Sequence, residues 1–171
     1  MNPINRFKSN YPLKSIALGT LLITAPVTQA ASLPQQAYLP LESALKAATV
    51  AMKKCTEDGY RVSVAVVDRG GNLLAFARHP LAGPHTVNSS QGKAFTAASM
   101  GRPTVDFARM IGEKPFLAGL RDMDERLVIL GGGLPILIDK TNVGGIGVGG
   151  APGGQLDGAC AEAGLDAINK T

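Results

Sequence analysis

Tryptophan is absent from the 171 residues, aromatic residues reach only 5%, and charged residues only 18%. The first two scarcities exclude a site built as a broad aromatic wall and leave the core to Ala, Val, Leu and Ile. Low charge beside 45% hydrophobic residues excludes a disordered, collagen-like or supercharged chain. Histidine and cysteine are each present only twice. With no third ligand at metal spacing beside the histidines, a closed structural zinc site is not expected. A length of 171 residues suits one compact domain with a short appendage.

The net charge of +4 invites a nucleic-acid reading, but its location argues against one. Arg6, Lys8 and Lys14 precede an uncharged run over 15–25, followed by Pro26, Val27, Thr28, Gln29 and Ala30. This is the layout of a secretory signal, with small residues at Thr28 and Ala30 for cleavage after Ala30. The run is shorter than the roughly 18 residues of a spanning helix. Expected domains are therefore a signal peptide over 1–30 and a single domain over 31–171. Three of the 17 basic residues and none of the 13 acidic ones fall in the signal, leaving 14 against 13. The mature protein is expected to be periplasmic or secreted, nearly neutral, without a stable membrane span and without a nucleic-acid partner. In an oxidising compartment Cys55 and Cys160 are expected to form one disulfide; two buried thiols are the alternative.

Apolar residues Leu41, Ala44, Leu45, Ala48, Met52 and Cys55 recur at helical spacing and predict a helix over 41–58 after Pro40 and before Gly59. Valine-rich 61–68, the turn sequence Arg69, Gly70, Gly71, Asn72 and the segment 73–78 predict a β-hairpin. The stretch 79–88 holds Pro80, Gly83, Pro84 and both histidines and reads as a loop. Ser89 or Ser90 is placed to cap a helix ending near Met100, and Thr104 to cap another ending near Ile111. A helical turn follows over 115–121. Strands are expected over 127–130, 135–139 and 144–148, and a last helix over 155–169. Hairpin-length links make the sheet mainly antiparallel, an α+β class.

Several constellations bear on chemistry. Gly145, Gly147 and Gly150 fit G-x-G-x-x-G, but too little chain follows for a βαβ unit. The glycines instead suggest close backbone packing at a sheet edge or subunit contact. Gly149, Gly150, Gly153 and Gly154 precede a helix N-terminus, which offers N–H groups to a carboxylate or phosphate. Ser90, Gln91, Gly92, Lys93 matches S-x-x-K, which places a hydroxyl one helical turn from an amine; a helix cap followed by an ordinary lysine explains it equally. His79 and His85 share one loop as candidate metal ligands, and a single axial histidine is enough for haem beside an apolar slot.

The segments VAVVDRGG (64–71), GPHT (83–86), SQGKAFTA (90–97), RPT (102–104), GGLPILI (132–138) and GIGVGGAPGG (145–154) together resemble the GlcG/HbpS family. This family is also called haem-degrading or DUF336, and includes the C-terminal domain of PduO-type proteins. The resemblance implies a profilin-like three-layer α/β/α domain with a five-stranded antiparallel sheet, homo-oligomers, and haem binding in exported members. It nominates His85 and Thr86, and Lys93 and Thr96 as pocket-facing residues, with His85 or His79 for iron and Arg78 or Lys93 for the haem propionates. Relatives often carry an acidic residue beside Asp157, where this chain has Gly158. The leading expectation is an exported, oligomeric small-ligand-binding protein whose cofactor is haem. The alternatives are an enzyme on a small hydroxy acid or aldehyde, with Lys93 as acid/base assisted by Ser90 or Thr96, and an accessory structural oligomer.

Overall fold

In chain order, helix α1 (Leu41–Glu57) leads into the hairpin of β1 (Ser63–Asp68) and β2 (Leu73–Arg78). Helices α2 (His85–Met100) and α3 (Thr104–Glu113) and a 3-10 segment (Pro115–Asp122) follow, then β3 (Gly133–Ile138), β4 (Thr141–Gly149) and α4 (Gly154–Asn169). This computed structural model describes Leu33 and residues 35–169; the leader assigned to 1–30 lies outside them. The sheet order is β2-β1-β4-β3, with antiparallel neighbours throughout. The α+β class with an antiparallel sheet is as expected.

Among the described residues the sheet has four strands rather than five. The expected strand over 127–130 has the composition of a strand but enters no ladder. Its polar groups go to helices instead: Val128 N donates to Thr96 Oγ1 at 2.9 Å, and Leu130 O accepts from Thr104 Oγ1 at 2.6 Å. A backbone satisfied by side chains has no need of a sheet edge.

Alternation along the inner strands sorts the layers. Val64, Val66, Ile146 and Val148 point to a core shared with α1 and α4. Ala65 and Val67 point the other way, onto Ala94 and Ala98 of α2. Gly145 and Gly147 share that second face: a Cβ at either would collide with the α2 backbone, at Ala94 O and Ser90 O respectively. Their close packing is therefore against a helix, on a strand inside the sheet, and not at the sheet edge the sequence suggested.

The same small-residue logic joins α1 to α4. The buried face of α1 is Ala44, Ala47, Ala48, Ala51 and Cys55, while Leu41 and Leu45 are each 50% exposed. A Cβ at Gly164 would come 2.6 Å from Ala47 O, so the two helices approach backbone to backbone. There Cys55 and Cys160 form a disulfide with Cα atoms 5.5 Å apart, as expected for a geometry of about 4.4–6.8 Å.

Two expected caps differ. Helix α2 begins four residues before Ser89, because Pro84 already holds helical angles (φ −61, ψ −31) as its cap. Thr104 opens α3, but its hydroxyl serves Leu130 O and Gly133 N instead of its own helix.

Candidate functional site

A groove of about 600 Å³ runs along one face of α2, within the size range of small-molecule sites. His85, Ser89, Gly92 and Phe95 line it at helical spacing, so they form one stripe. At 1.5 Å per residue, His85 and Phe95 lie about 15 Å apart along the helix axis. Val67 and Leu73 of the hairpin form one wall, and Arg126, Val128 and Leu130 the other. Gly92 makes the second wall possible, since a Cβ there would lie 2.9 Å from Arg126 O and overlap Val128.

His85 stands in the first turn of α2, exposed at the groove rather than on a loop. The turn beneath it is fastened from the buried side. Thr86 Oγ1 donates to Gly83 O at 2.6 Å and shares a 2.7 Å hydrogen bond with Ser63 Oγ. Gly83 leaves the imidazole room: a Cβ would lie 2.6 Å from His85 Cε1. Among the described residues no group of three or more His, Cys, Asp or Glu is placed to hold a metal ion. One imidazole beside apolar walls is nevertheless the ligand set that haem needs.

The other nominated residues do not line this groove. His79 accepts from Leu81 N through Nδ1 at 3.1 Å. Arg78 donates through Nη2 to Ala82 O. Thr86 is 1% exposed and Thr96 is fully buried, with the Thr96 hydroxyl donating to Gly92 O at 2.7 Å. Ser90 Oγ donates to Val87 O at 3.0 Å. Lys93 Nζ donates to Asp157 Oδ2 at 2.8 Å and to Val148 O at 2.9 Å. No hydrogen bond joins Ser90 to Lys93, because the amine is turned towards α4. The glycine-rich segment before α4 does receive a carboxylate, and it is the chain's own: Ala151 N donates to Asp157 Oδ1 at 3.0 Å.

Sequence reasoning passed over Arg126 and Phe95. The guanidinium of Arg126 lies 3.9 Å from the centroid of the Phe95 ring, a cation–π stack. Asp124 grips it at two points, Oδ1 to Nε at 2.9 Å and Oδ2 to Nη2 at 2.7 Å. Those hydrogen bonds to Arg126 hold the Asp124 carboxyl well below its ordinary range, at about 2. Phe95 stood inside the KAFTA segment, but nothing in the sequence pairs it with residue 126.

The family described as haem degrading protein HbpS-like matches residues 39–166. A double mutant of Streptomyces reticuli HbpS is 43% identical, with 83% of this chain and 95% of that one covered and a TM-score of 0.74. The Klebsiella pneumoniae protein ORFY is 30% identical, with 84% and 99% covered and a TM-score of 0.76. A 15.0 kDa protein from the dhaT-dhaS intergenic region of Citrobacter freundii is 33% identical over 80% of this chain and 96% of its own length. Escherichia coli GlcG is 34% identical over 56% of this chain and 69% of its own length. The chain therefore belongs to the HbpS-like haem-degrading protein family.

Proposed function

We propose that the α2 groove binds haem, in which case the His85 imidazole would hold the iron and Leu73 and Val128 would pack against the ring. The carrying observation is that His85 shares one groove with Leu73, Val128 and Leu130, so a metal ligand and an apolar surface face the same space. The family's description, haem degrading protein HbpS-like, supports haem over other planar rings. When bound, haem would supply its iron chemistry; the chain's part is to ligate, orient and shield the ring.

Export to the periplasm or outside the cell and assembly into homo-oligomers belong to the same proposal. The Cys55–Cys160 disulfide suits an oxidising compartment. Exposed Phe76 on the edge strand β2, at 37%, suits burial against a further copy. The alternative of an enzyme using Lys93 as acid/base would first require its amine to leave Asp157 and the Val148 carbonyl.

Titration of the purified protein with haemin tests the proposal. A saturable Soret shift is expected, and His85→Ala should change its position and weaken binding by tenfold or more. An identical spectrum and affinity in His85→Ala would reject histidine ligation.

A further inference from the structure

We infer that Arg126 is the carboxylate-recognising residue of the groove, with Asp124 and Phe95 as its positioning residues, so that the preferred ligand is an acid: a planar apolar ring carrying a carboxylate at its rim. This rests on the haem reading of the same groove and adds the residue that would set its charge specificity.

Of the lysine and arginine side chains among the described residues, Arg126 is the one lining the groove. Lys93 is committed to Asp157, and Arg78 to a backbone carbonyl. A guanidinium offers five N–H donors in a fixed plane. Asp124 occupies Nε and one direction of Nη2, and no hydrogen bond from Nη1 is formed among the described residues. The guanidinium carbon lies 3.9 Å from the centroid of the Phe95 ring. Clamped in two ways, the guanidinium loses little rotamer freedom on meeting a ligand carboxylate, which favours binding. Asp124 stays ionised throughout neutral and mildly acid solution, so the clamp persists there. Glu125 also lines the groove and opposes an anionic ligand. The opposing pair gives the inference two signs to test: removing Arg126 should weaken the binding of an acid, and neutralising Glu125 should strengthen it.

The experiment compares haemin with its dimethyl ester, which has the same ring and iron but no free carboxylates. The wild type is expected to bind the acid about tenfold more tightly than the ester, the worth of one charge-assisted hydrogen bond at an exposed site. Arg126→Gln should bring the acid-to-ester ratio near one, the ratio and not the ester affinity being the readout. Asp124→Asn should lower the ratio partway, and Glu125→Gln should raise it. Because each variant is read as a ratio, a general loss of folding cannot imitate the result. A wild-type ratio near one, or a ratio unchanged in Arg126→Gln, would overturn the assignment and leave haem binding standing. Failure of the wild type to bind either compound would overturn both.

Discussion

Lys93 Nζ and Asp157 Oδ2 meet at 2.8 Å with both side chains 4% exposed, joining α2 to α4 past the open end of β4. Every polar atom of the pair is used: the amine also reaches Val148 O, and the second carboxylate oxygen takes Ala151 N. Breaking a buried pair by removing one partner leaves an uncompensated charge, at a cost of about 3–5 kcal/mol. Lys93→Met should lower stability by that amount in denaturant unfolding. Lys93→Met with Asp157→Leu should recover much of it, since the orphaned carboxylate is then gone. Equal loss in single and double variants would show that the charges are not the source.

Reduction should be costly as well. The Cys55–Cys160 bridge spans 105 residues, and closing a loop of that size is worth about 4–5 kcal/mol in the chain-entropy account. Unfolding with and without reductant should differ by several kcal/mol. Thiol titration of denatured, unreduced protein should find no free thiol, as no described cysteine is free.

Gly147→Ala should be among the most damaging single-methyl additions. Its new carbon would meet the backbone at Ser90 O and Ala94 N, and backbone cannot rotate away as a side chain can. Overpacking of this kind costs about 1–3 kcal/mol or more. Gly158→Ala, where nothing lies within 4 Å, should be neutral or slightly stabilising by helix propensity. Thermal midpoints of the two variants give the comparison.

The Asp124 carboxyl should titrate at about 2, below its ordinary 3.8, because hydrogen bonds from Arg126 favour its ionised form. With a folded-state value below the unfolded one, the pairing contributes fully above about pH 4 and is lost as pH falls through about 2. Carboxyl-carbon NMR should show this low midpoint, and Arg126→Gln should return it towards 3.8. An unchanged midpoint in that variant would mean Arg126 is not the cause.

Thr96→Val should loosen the groove without touching its lining. The buried hydroxyl accepts from Val128 N and donates to Gly92 O; the valine would leave the Val128 amide unpaired, costing about 1–3 kcal/mol. Faster amide exchange at Val128 than in the wild type, with α1 and α4 unchanged, is the expected signature.

The class of fold, the order of helices and hairpins and the disulfide were legible from the sequence alone, because each depends on local periodicity, turn chemistry or the pairing of scarce cysteines. The family, too, could be read from short motifs that recur in order. His85 stood there only as a candidate, one of two histidines in a segment rich in Gly and Pro. What only tertiary structure decided is where side chains meet. Residues 127–130 look like a strand but belong to the helices, because Thr96 and Thr104 satisfy their backbone from 26 or more positions away. Lys93 looks like a pocket amine but turns to Asp157, 64 residues along the chain. Arg126 gains its place over Phe95 only because Gly92 lets two backbones touch. Periodicity specifies which face of an element is apolar; it carries no information about which distant element will arrive there, and the groove is made of such arrivals.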